Sequence, residues 1–376
     1  VTDTKKPTKH AVINIALTGG GTAGHVWPHF ALVDDSTSRL GRLANEGGAR
    51  FFYFGSHGGM ERSIVAQNAP TWTYVPISTG KLRRYFSWRN FIDPFFVILG
   101  FLKAFLVLAQ IRANVVFSKG GFVSAPVVWA AWLLRIPVVI HESDLSPALA
   151  TKLTLPFATR ALCTFEETKA MCSRRFRDKI TILGLPLRRS LFQGNRDDAA
   201  NFFNLDPSRK TLLVFGGSLG AEPINRAFVP SVEALSKQYN IIHIVGRGKK
   251  VDVGNVENYR QYEFLNKEMA LAYALSDLSI CRAGASSIFE LAAARIPMIL
   301  IPLGLAQSRG DQIENAKSFA RKGWAEILWE KDLSADSIVS LVDGAMNSLD
   351  ERKKALANAP TLEAASLVGD ILLSLA

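Results

Sequence analysis

The chain has 376 residues, enough for two packed cores at about 150 residues per domain. Its 48% hydrophobic and 20% charged residues exclude a disordered, collagen-like or disulfide-scaffold protein. The net charge of +11 is one-sided, since residues 1–189 carry 24 basic and 11 acidic side chains while residues 190–376 carry 20 and 22, which turns the first half toward an anionic surface, membrane or nucleic acid.

Residues 1–10 read as a polar, Lys-rich tail, and the apolar pattern Ala11–Thr18 follows without a signal-peptide h-region, as expected of a chain that is not secreted. From there one unit recurs: a short apolar, β-branched run, Gly-rich punctuation, then a longer stretch of helical periodicity. That alternation belongs to parallel α/β sheets. It predicts strands at Ile13–Leu17, Phe51–Phe54, Val115–Phe117, Val138–Ile140, Thr181–Leu183, Thr211–Phe215, Ile241–Val245, Leu278–Cys281 and Met298–Ile301. Cys163, Cys172 and Cys281 form no C-x-x-C pair, so neither disulfides nor zinc organise the fold, and a reducing cytoplasm fits.

The first strand runs into Thr18-Gly-Gly-Gly-Thr-Ala-Gly-His25, whose Gly19–Gly24 matches G-x-G-x-x-G. A dinucleotide site also needs an acid at the end of the second strand to hold a ribose hydroxyl. That strand ends in Gly55-Ser56-His57, and Glu61 comes too late. The glycines then mark a helix N-terminus open to close approach, with His25 beside it. His25 is either a cap or packed side chain, or a general base at the carboxyl edge of the sheet. His25 and His29 have the spacing of metal ligands, but Pro28 lies between them and no carboxylate accompanies them, so no metal is expected.

The segment Lys81-Leu-Arg-Arg-Tyr-Phe-Ser-Trp-Arg-Asn-Phe91 interleaves Lys81, Arg83, Arg84 and Arg89 with Tyr85, Phe86 and Trp88. It reads as a solvated helix with core aromatics, or as an interfacial patch in which each cation near an anionic leaflet adds about 1 kcal/mol. No nucleic-acid-binding module accompanies it, so nucleic acid is not expected as a partner. Of the next 19 residues, Phe91–Ala109, 15 are apolar, interrupted by Asp93, Pro94, Gly100 and Lys103. A charge near mid-bilayer costs about 2.5–3.5 kcal/mol, so this reads as a buried or membrane-leaning helix rather than a spanning one.

Gly184–Lys210, with Pro186, the polar run Gly194–Asp198 and Pro207, separates an N-terminal domain, 11–190, from a C-terminal domain, 191–350. The helix-like remainder, 351–376, is expected to pack back on one of them. Leu212–Phe215 repeats the strand-into-glycine junction with Gly216-Gly-Ser-Leu-Gly220, either a turn or an anion site where backbone N–H groups and Ser218 meet a phosphate. Cys281-Arg-Ala-Gly-Ala-Ser-Ser-Ile-Phe-Glu290 has the same form. Ser287 and Glu290 fit a capping box, or Ser286 and Ser287 hold a diphosphate while Glu290 accepts bonds from ribose hydroxyls.

In this order, Gly20-Gly-Thr-Ala-Gly-His25, Lys119-Gly-Gly-Phe-Val-Ser-Ala-Pro126, His141-Glu-Ser-Asp144, Gly184-x-Pro-x-Arg188, Gly216-Gly-Ser218 through Asn225, Arg282-Ala-Gly284 through Glu290 and Asp311-Gln-x-x-Asn315-Ala316 resemble the MurG family over roughly residues 11–350. The resemblance implies two doubly wound, Rossmann-like α/β domains facing across a cleft, the GT-B fold. It also implies inverting transfer of N-acetylglucosamine from UDP-GlcNAc to the MurNAc of undecaprenyl-diphosphate-linked lipid I, making lipid II. The implied place is the cytoplasmic face of the bacterial plasma membrane, with an anionic membrane surface as partner and no cofactor.

Residue by residue, the resemblance implies His25 and Glu142 as catalytic groups. Ser218, Ala285, Ser286 and Ser287 would cradle the diphosphate with Arg188 beside it, Glu290 would hold the ribose, Phe264 and Leu265 would flank the uracil, and Gln312 and Asn315 would bind hydroxyls of the donor sugar. Thr22, Gly24 and Asn225 stand at the cleft and are assigned to the donor; Gly20, Gly21, Phe122 and Asp144 are assigned to the acceptor. Asp144, Leu219 and Asp311 depart from the Asn, Gln and Gln the family often carries there. The chain has no D-x-D triplet, in keeping with a transferase that works by fixed dipoles rather than a bound metal. Another lipid-directed glycosyltransferase, a UDP-sugar epimerase and a UDP-sugar sensor are the alternatives.

Overall fold

The computed structural model describes residues 12–80, 89–217, 221–305, 308–359 and 361–376, with the side chains of 89–92 left aside. Residues 1–10, Lys81, Arg83, Arg84, Tyr85, Phe86, Trp88 and Ser218 lie outside the described residues, as does the Arg89 side chain.

Two all-parallel sheets form. The first runs through β1 (Ile13–Thr18), β2 (Ala49–Ser56), β3 (Thr73–Ile77), β4 (Val115–Ser118), β5 (Val138–Glu142), β6 (Arg160–Cys163) and β7 (Ile180–Ile182), in the order β3-β2-β1-β4-β5-β6-β7. The second runs through β8 (Thr211–Phe215), β9 (Asn240–Ile244), β10 (Tyr259–Tyr262), β11 (Leu278–Cys281), β12 (Met298–Leu300) and β13 (Ala325–Ile327), in the order β10-β9-β8-β11-β12-β13. In both, the chain starts mid-sheet, winds outward, and returns to the other side of its first strand. The expected pair of doubly wound Rossmann-like layers is therefore present.

Alternate side chains of each strand enter opposite layers, which is why the strands read as unbroken apolar runs. Ile15, Leu17, Phe117 and Val139 pack on one face with Val368 and Leu372. Ala16, Val116 and Ile140 pack on the other with Val127, Val128, Ala104 and Leu108. In the second sheet Leu213, Phe215 and Leu300 meet Phe203, Phe289 and Phe319, while Leu212, Val214 and Ile299 meet Ile224, Phe228 and Val342.

The strand predicted at Thr181–Leu183 starts one residue earlier, and four strands appear that the apolar runs do not announce. β3, β10 and β13 are sheet edges, half-covered, so they need no continuous apolar run; β3 even carries Pro76, tolerated where one side of the ladder is free. β6 is inside the sheet but reduces to Ala-Leu-Cys after Arg160, too short a pattern to read.

The apolar segment after the basic run forms the helix Arg89–Gln110. By length and composition Asp93–Gln110 could cross a membrane, yet Ala104 and Leu108 are sealed against the first sheet's layer. A side chain at Gly100 would put its Cβ 2.0 Å from the Ser78 carbonyl oxygen, so the close seating of this helix requires glycine. The opposite face leaves Phe95, Phe96, Ile98, Leu99, Leu102 and Leu106 exposed, the last by 67%. The helix is therefore seated on one side only, not buried.

Residues 351–376 are shared between the layers. Leu349–Ala355 and Leu356 pack with the second sheet, whereas Ala364–Leu375 crosses back to the first through Val368 and Leu372. The two sheets are also joined directly, because Phe165, just after β6, is buried edge-on against Phe289 at 5.1 Å and Phe319 at 6.2 Å. Around it Glu167 accepts from Ser318 Oγ at 2.9 Å and pairs with Arg321 at 3.3 Å. Phe165→Ala should cost about 3–5 kcal/mol in urea unfolding; a loss under about 1 kcal/mol, within the range of a surface change, would show that the ring does not seal the seam.

Candidate active site

Both sheets open at their switch points, between β1 and β4 in the first and between β8 and β11 in the second. After β1 the chain turns through Gly19–Gly24 into a single turn of 3-10 helix, Ala23–His25. After β4, Gly120 and Gly121 both take φ of +81°. A Cβ on Gly121 would lie 2.2 Å from the Gly20 carbonyl oxygen, so only glycine lets the two loops touch. Gly21 and Thr22 are exposed at the tip, and Phe122 backs Gly21.

His25 is half-buried in that turn, its Nδ1 2.9 Å from the Gly20 carbonyl oxygen and 3.3 Å from Thr22 Oγ1. A carbonyl can only accept, so Nδ1 carries the proton and donates it. Nε2 is left as a bare lone pair, and among the described residues nothing bonds to it. Burial lowers the imidazole below its usual 6.5, partly offset by the Gly20 bond and the Asp144 charge, so the ring is neutral at neutral pH. These are the tautomer and charge state of a base.

Beneath the glycine loops lies a buried charge layer. Lys119 is only 2% exposed, and its Nζ donates to His141 Nδ1 and Ser143 Oγ, both at 2.7 Å. His141 Nε2 donates in turn to the Gly184 carbonyl at 2.8 Å, which fixes its tautomer. Burial pulls the Lys119 ammonium from 10.5 down to about 7 against the opposing pull of Glu142 and Asp144. Glu142 is committed to its own loop: Oε1 accepts from Asp144 N at 3.1 Å, and Oε2 from Ala148 N at 2.8 Å and Thr151 Oγ1 at 2.5 Å. The structure thus gives Glu142 a loop-holding position rather than a free carboxylate. Burial, helped by Glu142 and Asp311, raises the Asp144 carboxyl from 3.8 to about 6.

On the other side, the helix Ala285–Ala293 starts at Gly284 and has no side-chain cap. The capping box read from Ser287 and Glu290 does not form, because Ser287 stands inside the first turn. The amides of Ala285, Ser286 and Ser287 are therefore free to meet an anion. Ser286 touches the glycine loop of the first sheet, since a Cβ on Gly24 would lie 3.2 Å from its Oγ. Glu290 accepts from Tyr273 OH at 2.7 Å, and burial raises its carboxyl. Arg188 lies 4.0 Å over the Trp27 ring with its buried Nε unpartnered, and shares a small recess with Ser286 and Glu290.

The remaining residues expected at the donor divide. Phe264 is 44% exposed with the Arg247 guanidinium 5.4 Å from its ring centre, whereas Leu265 belongs to the core. Gln312 Oε1 accepts from Leu303 N at 3.2 Å. Asn225 is buried in the second sheet's layer, where it donates to Val245 O at 2.9 Å and faces His243 Nε2 at 3.1 Å. Asn315 is fully buried against Leu145, Asp144 and Ala283 rather than presented to a sugar. His29 is buried between Tyr53 and Phe117, away from any role shared with His25. Among the described residues no group of three His, Cys, Asp or Glu could share a metal ion.

Lys119 and His141 stand in motifs of the sequence without a role assigned to them, and Tyr273, Trp27 and Arg309 carry no signal there. Lys119 is legible as a cation directly after the buried strand Val115–Ser118, whereas His141, Tyr273 and Trp27 act through partners distant in the chain and Arg309 links its neighbour Asp311 to the distant Asp144.

Residues 15–163 match the glycosyltransferase family 28 N-terminal domain, and residues 211–369 the glycosyltransferase family 28 C-terminal domain. The chain is 44% identical over 344 residues to the UDP-N-acetylglucosamine--N-acetylmuramyl-(pentapeptide) pyrophosphoryl-undecaprenol N-acetylglucosamine transferase of Geobacillus thermodenitrificans (strain NG80-2), covering 90% of this chain and 92% of that one. The protein of the same name from Staphylococcus carnosus (strain TM300) is 44% identical over 325 residues, 86% of this chain and 87% of that one. The crystal structure of Acinetobacter baumannii MurG superposes with a TM-score of 0.74 at 24% identity, over 96% of this chain and 99% of that one, a likeness of fold.

Folded Lys119 releases its proton near pH 7, whereas in the unfolded chain a lysine holds it to about 10.4. Between those values the unfolded state binds the extra proton, so stability rises with pH. The unfolding free energy of wild type minus that of Lys119→Met should therefore grow between about pH 7 and pH 9 in urea titrations. A flat difference would mean that Lys119 stays charged.

Proposed function

The chain belongs to the MurG family of glycosyltransferase family 28, and from that premise we propose that it moves N-acetylglucosamine from UDP-GlcNAc to the MurNAc of undecaprenyl-diphosphate-linked lipid I, forming lipid II for peptidoglycan synthesis. It is a GT-B hexosyltransferase, and in this reading it works without a cofactor beyond its donor. The observation that carries the reading is the meeting of the two switch points, Gly24 against Ser286, with a base-form histidine on one side and an uncapped helix N-terminus on the other.

His25 Nε2 takes the proton of the acceptor hydroxyl as its oxygen bonds to the anomeric carbon of the donor sugar. The bond from that carbon to the diphosphate breaks on the opposite face, and its electron pair leaves with UDP, which inverts the configuration. The developing charge meets the amides of Ala285, Ser286 and Ser287 and the guanidinium of Arg188, dipoles fixed before the reaction begins. Ser218 joins them in this reading, Glu290 holds the ribose, and Phe264 stacks on the base. Gly20, Gly21 and Phe122 form the acceptor wall, and Glu142 holds the loop that carries Asp144.

The domain at 11–190 faces the acceptor and the membrane, the domain at 191–350 holds the donor, and 351–376 returns across both. A lipid-linked acceptor brings the first domain to the cytoplasmic face of the plasma membrane, where the exposed face of Arg89–Gln110 enters the headgroup boundary. Lys81, Arg83, Arg84 and Arg89, interleaved with Tyr85, Phe86 and Trp88, attract the anionic leaflet.

Mass spectrometry after incubation with UDP-GlcNAc and lipid I should show one added N-acetylhexosamine on the lipid. His25→Ala should lower turnover by about 10²–10⁴-fold while leaving UDP affinity nearly intact; near-wild-type turnover would remove His25 from this role. In sedimentation with anionic vesicles, a variant carrying both Leu102→Glu and Leu106→Glu should stay in the supernatant where wild type pellets, and equal pelleting would discard the helix as the docking face.

A further inference from the structure

Asp144 was expected beside the acceptor and Asn315 beside the donor sugar, but the structure sets them against each other. Asn315 lies on the helix Asp311–Arg321, which also carries Gln312, and it is fully buried. Its Oδ1 accepts from Leu145 N at 3.0 Å, while its Nδ2 donates to Asp144 Oδ1 at 3.1 Å and to the Ala283 carbonyl at 3.2 Å. Both amide protons are spent, and neither is left for a sugar hydroxyl.

Each of these bonds holds a different part of the site. Ala283 immediately precedes Gly284, the start of the uncapped helix. Leu145 is a residue of the first sheet's loop that is buried in the second sheet's core. Asp144 N is held by Glu142, and Asp144 Oδ2 faces Arg309 at 3.7 Å, whose same nitrogen lies 3.6 Å from Asp311 Oδ2. Two of the chain's departures from the family pattern, Asp144 and Asp311, thus share one arginine across the cleft.

We infer that Asp144 and Asn315 are positioning residues, a clasp that joins the acceptor-side loop to the donor-side helix. The clasp sets the distance between the half-sites, so a change on the acceptor side is felt by the donor. This rests on the glycosyl-transfer reading for what occupies the two half-sites.

The test is a double-mutant cycle on the full chain, reading UDP-GlcNAc affinity by calorimetry and kcat/KM with lipid I. Asp144→Ala should weaken UDP-GlcNAc binding as much as Asn315→Ala does, although Asp144 belongs to the other sheet. Each should lower kcat/KM by about 10–100-fold, and the double variant should lose no more than about threefold beyond either single one. Asp144→Asn, whose amide oxygen still accepts from Asn315, should recover at least about tenfold over Asp144→Ala; a shared urea midpoint would exclude unfolding as the cause. Unchanged UDP-GlcNAc affinity in Asp144→Ala, multiplicative losses in the double variant, or no recovery in Asp144→Asn would each overturn the clasp. If wild type fails to turn over lipid I, the functional reading falls, while the UDP-GlcNAc affinities still decide whether the two residues are coupled.

Discussion

Two parallel sheets meet at their switch points, where Gly24 of one loop faces Ser286 of the other. A parallel sheet with both faces covered has spare backbone donors only at its carboxyl edge and at the starts of the helices that follow. Bringing two such edges together concentrates unpaired amides in one place. The absence of side chains at Gly20, Gly21 and Gly121 lets the loops of the first edge pack closely on their neighbours, and the missing cap at Gly284 keeps the second edge open. Phe165, driven from the first layer into the second, and the bonds around Asn315 hold the edges at that separation.

The two sides treat charge differently. Under the glycine loops of the first sheet, Lys119 and the carboxylates of Glu142 and Asp144 are buried together, which offsets the large cost of burying either sign alone. The hydrogen-bond chain Lys119–His141–Gly184 ties that layer to the segment that leads into Arg188. His25 sits above it as a neutral ring whose tautomer is dictated by one carbonyl. In the proposed function Arg188 is the cation near the donor and the helix dipole supplies the rest, which suits a half-chain with 20 basic and 22 acidic residues.

The surplus of basic residues in the first half belongs with a different feature. The helix Arg89–Gln110 is anchored through Gly100, Ala104 and Leu108 and presents its other apolar face outward. An apolar face left uncovered is costly in water unless something else covers it. In the proposed function the cover is the leaflet that carries the acceptor, and in that reading the charge asymmetry and the uncovered face of Arg89–Gln110 have a common cause.

Much of this was legible in the chain. Apolar runs ending in glycine located nine of the thirteen strands, because strands buried on both faces must be continuously apolar; edge strands such as Tyr259–Tyr262 escape that demand and were not seen. The turn at Gly19–Gly24 with His25, and the helix opening at Gly284, were likewise readable, because local backbone conformation requires glycine where a ligand or another loop comes close. Sequence therefore determined the layers, the openings and the imbalance of charge. Only the tertiary structure decided which polar side chains remain free for chemistry. Glu142, Asn225 and Asn315 have the right residue types at the right spacing, yet each is engaged by partners, up to 171 positions away for Asn315. A hydrogen-bonding group is available or spent according to what the fold brings within about 3 Å of it, and sequence spacing does not carry that distance.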